Sequence, residues 1–449
     1  MSATGFVSTR SQGAEPVSFT TAMLTGLAPD GGLFVPTGLP KADGAWRTAA
    51  SPAEVAAYVL PELLGMSAAD THDLFSRALD FALPVTELPG SRYLLELFHG
   101  PTAAFKDVGA RAMALLFDRA LARTGGRATV LVATSGDTGG AVADAFAGLA
   151  SVRVAVLFPA RGVSAVQEQQ LVARRPGVTA LAVDGTFDDC QRLVKGAFAD
   201  SDLTGMGLST ANSINVARLL PQTVYYFWAA VQLHQQVDAR SPFVVVVPSG
   251  NLGNLTAGVL ATRMGAPYSL MVAAHNKNDY FARFVDGRAA AYDFGPSLAT
   301  VSNAMDVGAP SNFERLQGLM AGGEPAVAAF SVDDATTIAR MRRTYLEDGY
   351  LPCPHTAVGL EVVDMLRATA AASSAAGAQA GSERALQGPV LALATAHPAK
   401  FPAAVWDALA TVPPPHPGLA ALAAAERAVV AIPADQGALK EELLALFGA

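Results

Sequence analysis

Short runs of uninterrupted apolar residues recur through the middle and later parts of the chain. The clearest are Thr129–Ala133 (TVLVA), Val152–Leu157 (VRVAVL), Val178–Val183 (VTALAV), Phe243–Val247 (FVVVV), Ser269–Ala273 (SLMVA) and Val390–Ala394 (VLALA). They are β-branched or leucine-rich and do not alternate polar with apolar positions. That pattern predicts strands buried on both faces of a parallel sheet. Alanine-rich helical stretches follow most of them, as strand–helix–strand units require. Before about Tyr93 the grammar differs: a Gly-Gly loop at Asp30–Leu33 leads into helices. Ser51-Pro-Ala-Glu54 predicts a helix start, with serine at the N-cap, proline at the first helical position and glutamate at the third. The architecture expected is α/β, with two open, mostly parallel lobes and an N-terminal helical segment. Approximate bounds are 1–92 for the N-terminal segment, 93–215 for a smaller lobe and 216–449 for a larger one. Residues Ala368–Ser382 are low in complexity and uncharged, and read as a flexible surface insert.

Composition narrows the picture. The 449 residues are 51% hydrophobic and 16% charged, against roughly 25% charged in an average domain. A large buried core is expected, and disorder is excluded. Lys+Arg 31 against Asp+Glu 39 gives a net charge of −8, which disfavours a nucleic-acid or anionic-membrane partner. Cys190 and Cys353 lie too far apart for a disulfide framework or a zinc site, so no metal is expected. The N-terminus shows no basic stretch followed by an apolar one. The longest uncharged stretches, 219–237 and 241–262, are broken by Pro221, Pro248, Gly250 and Gly253 and do not suit a bilayer. A cytoplasmic monomer or homodimer is expected.

One detail of the charge count bears on chemistry. Only six of the 31 basic residues are lysines: Lys41, Lys106, Lys195, Lys277, Lys400 and Lys440. A retained lysine raises the question of what arginine could not do there. Lys41, Lys195 and Lys440 read as solvated charges. Lys106 follows a turn-rich approach, Phe98-His-Gly-Pro-Thr-Ala-Ala-Phe105, and opens an apolar helix. Phe105 and that helix would desolvate its amine and lower its pKa. Imine chemistry needs a primary amine, and a guanidinium cannot supply it.

In open α/β sheets ligands sit at the carboxyl ends of strands. Three such ends carry unusual loops. The Val244–Pro248 run continues into Ser249-Gly-Asn-Leu-Gly-Asn254 and then a helix. Its glycines can turn N–H groups toward a phosphate, aided by the helix dipole. Taken alone it reads equally as a tight strand-to-helix turn. Ala133-Thr-Ser-Gly-Asp-Thr-Gly-Gly140 places hydroxyls and amides at another helix start. That suits a small carboxylate, although an N-cap with a glycine turn is the simpler reading. Thr395 closes the Val390–Ala394 run and in isolation is only a β-former. A desolvated lysine, a phosphate cup and a strand-end hydroxyl together point to pyridoxal 5′-phosphate.

At this point the chain resembles a known family, the threonine synthases. These are fold-type II pyridoxal-phosphate enzymes, and the resemblance is to the branch of enteric bacteria and fungi. It runs from FVSTR and DGGLFVP near the start to TAHPAKF near residue 400. Between them lie ELFHGPTAAFKD, ATSGDTGGAV, LFPARGVSAVQ, VDGTFDDCQRLVK, ANSINVARLLPQ, VPSGNLGNLTAG, SNAMDVGAPSNFERL and PHTAVGLE. The resemblance implies that Lys106 holds the cofactor covalently and moves protons. It implies that Ser249, Gly250, Asn251, Leu252, Gly253 and Asn254 hold the cofactor phosphate, and that Thr395 faces the pyridine nitrogen. Ser135, Gly136, Asp137 and Thr138 would hold the substrate carboxylate, and Asn212, Ser213 and Arg218 its phosphate. The activity implied converts O-phospho-L-homoserine and water to L-threonine and phosphate, the last step of threonine biosynthesis.

Asp137 stands where sister fold-type II enzymes often have an asparagine beside the cofactor's 3′-oxygen. A carboxylate would repel a phenolate there, so that contact stays unassigned, with Asn215 as an alternative donor. His99, His355 and His397 fall inside matched blocks, open between structural and proton-transfer roles. A threonine/serine dehydratase or a cysteine-synthase-like enzyme would share fold and cofactor, but NSINVAR argues for a second phosphate grip that they lack. A non-catalytic small-molecule-binding relative is the reading from a different class.

Overall fold

Buried apolar runs become strands because each can bury both faces between layers of helix. The computed structural model describes residues 4–11, 13–237, 242–375 and 389–447. Its strands are β1 (Phe6–Ser8), β2 (Phe34–Pro36), β3 (Val85–Leu88), β4 (Arg92–Glu96), β5 (Ala128–Ala133), β6 (Val152–Pro159) and β7 (Val178–Asp184). They continue with β8 (Leu208–Thr210), β9 (Phe243–Pro248), β10 (Tyr268–His275), β11 (Ala326–Ser331), β12 (Val390–Ala394) and β13 (Val430–Pro433). One sheet runs β13-β7-β6-β5-β8 and the other β11-β10-β9-β12-β4-β3, while β1 and β2 form a separate ribbon. Pairing within the two large sheets is parallel, except for antiparallel β3 on β4. Every residue of β5, β9 and β12 is buried, as their unbroken apolar runs predict.

The sheets are not contiguous stretches of chain. Tyr93–Glu96, assigned from sequence to the start of the 93–215 lobe, pairs with β12 in the six-stranded sheet. Val430–Pro433, assigned to the 216–449 lobe, pairs with β7 in the five-stranded sheet. Both strands are short, β4 ends in charged residues and β13 is mostly open to solvent, so local pattern does not announce them as strands. The expected insert at 368–382 also needs correction. The helix Pro354–Ala375 continues through its first half, because alanine favours helix wherever nothing interrupts it. The remainder, from residue 376, lies outside the described residues.

Ser51 caps the helix Pro52–Val59 as its spacing predicts, its hydroxyl accepting from Glu54 N. The N-terminal segment is tied to the rest by Arg315, a fully buried arginine on the helix Phe313–Met320. Arg315 donates to Phe34 O at 2.9 Å, Ile214 O at 2.9 Å and Asn312 Oδ1 at 2.6 Å. One side chain thereby joins β2, the loop after β8 and its own helix. Among the described residues, no helix is long and apolar enough to cross a membrane.

Candidate active site

Residues just past the carboxyl ends of β5, β8, β9 and β12 line one cavity, together with the start of the helix Lys106–Thr124. Of the residues singled out from sequence, Lys106, Ser135, Asp137, Thr138, Asn212, Ser213, Arg218, Ser249, Gly250, Asn251, Leu252, Gly253, Asn254 and Thr395 all line it. Gly136 does not, and is buried against Gln167. Its φ of +137° excludes most side chains, and a Cβ there would meet the Gln167 carboxamide at 2.7 Å.

The approach to Lys106 is fastened to the end of β12. Phe105 N donates to Thr395 O at 2.9 Å, and His397 N donates to Ala103 O at 3.0 Å. Asp107 turns back to accept from Thr102 N at 2.9 Å and from its hydroxyl at 2.5 Å. These bonds place the Lys106 amine and the Thr395 side chain on the same cavity.

Beside that amine lies a buried carboxylate with two ammonium neighbours. Lys106 Nζ stands 3.3 Å from Asp137 Oδ2, and Lys400 Nζ stands 2.9 Å from Asp137 Oδ1. Gln167 Nε2 donates to Asp137 Oδ1 at 2.9 Å, and Lys400 also donates to Thr102 O at 2.9 Å. Burial works against the Asp137 charge, yet Lys400, then Lys106 and Gln167, hold its carboxyl well below the usual range. Burial lowers the Lys106 amine from its ordinary value; Asp137 opposes that shift, while Lys400 and Arg218 add to it. The helix Asp137–Phe146 presents the carboxylate from its first turn, where Thr134 Oγ1 accepts from Gly136 N and Gly139 N, each at 2.9 Å.

Across the cavity, the turn Ser249–Asn254 feeds the helix Gly253–Met264. Leu252 sits at its N-cap with φ +61° and provides no side-chain cap. The first-turn N–H groups therefore keep the unfilled donors of a helix start. Gly250 packs so closely that a Cβ would lie 2.9 Å from Met305 Cα. Asn254 Oδ1 accepts from Tyr225 and Tyr226 hydroxyls at 2.6 and 2.7 Å, while its Nδ2 is buried without a partner. Arg218 donates one nitrogen to Ala211 O at 2.6 Å and leaves Nε buried and unpartnered. Burial brings its guanidinium down to about 10. Orphaned donors and a glycine-turned helix start are what a phosphate-bearing cofactor requires, so pyridoxal phosphate fits this residue set. Among the described residues no cluster of side chains could hold a metal ion.

Other expectations fare differently. Asn212 lines the cavity, but its carboxamide is committed to Ala133, accepting from the N–H at 3.1 Å and donating to the carbonyl at 2.6 Å. Ser213 accepts from Asn312 Nδ2 at 3.2 Å. Asn215 is removed as a donor to the cofactor: it is fully buried, caps Ala217 N, and donates to Met23 O and Thr210 O. His397 caps the turn Pro398–Lys400, and His99 pairs with Glu96 at 2.7 Å. His355 does line the cavity; burial pushes it down to about 3, and its Nε2 accepts from Ala304 N at 3.1 Å. Lys195 is exposed, Lys41 donates to Arg263 O, and Lys440 pairs with Asp200 and Asp202. Sequence reasoning missed Gln167 and the depth of Lys400. Only the placement of Lys400 just beyond Thr395, in a chain poor in lysine, signalled the latter.

Two parallel-sheet lobes meeting at such a cavity define a pyridoxal-phosphate enzyme of fold type II. Residues 83–378 match the family model of the pyridoxal-phosphate dependent enzymes, residues 5–78 that of the threonine synthase N terminus, and residues 356–442 that of the threonine synthase C-terminal region. The chain is 38% identical to a threonine synthase of Serratia marcescens over 96% of its own length and 97% of the relative's. The crystal structure of threonine synthase from Escherichia coli superposes with a TM-score of 0.87 at 36% identity, covering 98% of this chain and 99% of that one. A pyridoxal-phosphate-bound threonine synthase from Brucella melitensis gives 0.84 at 34% identity, with all of both chains covered. The chain belongs to the threonine synthase family.

Proposed function

We propose that this lyase converts O-phospho-L-homoserine and water to L-threonine and phosphate, with Lys106 as its catalytic residue. The observation that carries the reading is the placement of the buried Lys106 amine on one cavity with two separate sets of phosphate-directed donors. One set is the Ser249–Asn254 turn and the other is Arg218 with Ser213. A dehydratase acting on serine or threonine needs only the first.

In this reading Lys106 would hold pyridoxal phosphate, the turn and Asn254 Nδ2 would hold its phosphate, and Thr395 would serve its ring nitrogen. When bound, the cofactor supplies an electron sink for charge developing on the substrate carbons. A neutral hydroxyl at Thr395 would leave that sink milder than a carboxylate would. The Ser135–Thr138 loop binds the substrate carboxylate at a helix start, where N–H groups favour an anion. The Lys106 Nζ, as the general base, would take the Cα proton and then serve the proton movement at Cβ. Arg218, a cation held in a buried setting, binds the leaving phosphate and stabilises its charge. Asn212, spent on Ala133, shapes this grip by fixing the β5 and β8 ends.

The test is product analysis. Equimolar phosphate and L-threonine released from O-phospho-L-homoserine support the proposal. Faster deamination of L-serine or L-threonine would establish the dehydratase reading instead.

A further inference from the structure

Lys400 lies behind Asp137, on the side of that carboxylate away from Lys106, and no part of the mechanism above uses it. It is fully buried, which a lysine tolerates only with strong partners. Its partners are Asp137 Oδ1 at 2.9 Å and Thr102 O at 2.9 Å. Gln167 adds a third contact to the same carboxylate oxygen at 2.9 Å. The oxygen left for Lys106 is Oδ2, at the longer distance of 3.3 Å.

We propose that Lys400 is a positioning residue that claims Asp137 as its own counter-ion, leaving the Lys106 amine without a dedicated anion. This inference rests on Lys106 being the cofactor lysine. An amine that must act as nucleophile and base works only without its proton. A buried carboxylate paired with Lys106 alone would hold that proton in place. Lys400 cancels the carboxylate's charge and adds a repulsive cation of its own. The other groups facing Lys106 act in the same direction or are neutral. Arg218, from the helix Val216–Leu219, is a further cation, and His355, from the helix Pro354–Ala375, stays uncharged near neutral pH. Asp107, the nearest acid on the lysine's own helix, faces Thr102, Lys400 and Arg218 instead. The arrangement also explains a carboxylate beside the cofactor: with Lys400 attached, position 137 presents a neutral pair.

The test uses the full chain stripped of cofactor and measures the rate of pyridoxal 5′-phosphate uptake against pH, by the absorbance of the bound cofactor. Uptake needs the unprotonated amine, so the profile's midpoint reports Lys106. In Lys400→Met, Asp137 is left to Lys106 and a repulsive cation is gone. The midpoint is expected to rise by about one unit or more, a roughly tenfold slower uptake on the acid side. In Asp137→Asn the attraction is lost and Lys400 remains, so the midpoint is expected to fall. Opposite shifts are a signature that a merely structural contact would not produce. A midpoint in Lys400→Met within a few tenths of the parent's, or shifts of both variants in one direction, overturns the inference. If Lys400→Met does not fold, Asp137→Asn decides alone, and a midpoint at or above the parent's overturns it. Lys106→Ala separates the two claims: covalent uptake by that variant would overturn the proposed site itself.

Discussion

At the scale of single residues, the cavity depends on what is missing as much as on what is present. A methyl group at position 250 would fall 2.9 Å from Met305 Cα, and backbone on that side cannot swing away as a side-chain tip could. Gly250→Ala is therefore expected to weaken pyridoxal phosphate binding at least tenfold, about 1.4 kcal/mol. Equilibrium titration by absorbance measures this, and the same overlap is expected to lower the unfolding midpoint of the cofactor-free chain as well. Individual residues were legible from sequence where chemistry restricts the choice. Lys106 stood out because an amine cannot be replaced by a guanidinium, and Gly250 because its loop follows a buried strand. Asp137 was legible as a residue of the site but not as an ion pair. Its partners Lys400 and Gln167 reach it from distant parts of the chain, and no local spacing encodes that meeting. Asn215 shows the converse: a side chain suited to touch the cofactor is consumed in capping Ala217 N.

At the scale of elements, strand ends and helix starts are coupled by a few polar anchors. Thr134, just past β5, accepts from two buried N–H groups at the head of the helix that carries Asp137. Thr134→Val keeps the shape and removes the acceptor. It is expected to cost about 1–2 kcal/mol in urea unfolding. Arg315 joins three segments through four hydrogen bonds. Arg315→Met leaves the Phe34 and Ile214 carbonyls unpaired and is expected to cost about 3 kcal/mol or more, again read from urea unfolding. The strands buried on both faces were legible because burial removes every charged residue from the run. β4, Arg92-Tyr-Leu-Leu-Glu96, was not, since its charged ends resemble a loop edge. β13 is short and mostly open to solvent, so its pairing with β7 is set by the fold around it.

At the scale of the whole molecule, protons couple the core to pH. His275 ends β10 inside the protein, with Nε2 buried and unpartnered, and burial pushes it down to about 4. A depressed folded value means the unfolded chain binds the proton first as pH falls. The stability held above about pH 6.5 is then lost progressively down to about 4. The contribution is about 3 kcal/mol across that window. His275→Gln should flatten the pH dependence of urea unfolding by that amount, and an unchanged slope would show that the residue is not buried in its neutral form. The division into two lobes was legible in outline, from the grouping of the buried runs. The crossing of chain between the lobes was not, because β4 and β13 join sheets built mostly from other parts of the sequence. Two lysines, Lys400 fully buried and Lys106 partly so, stand within reach of the same carboxylate, and the cofactor is assigned to Lys106. Borohydride reduction of the cofactor-loaded protein, followed by peptide mapping, decides between them. The label is expected on the peptide containing Lys106 and absent from the one containing Lys400. Label on Lys400, or on neither, would contradict the account.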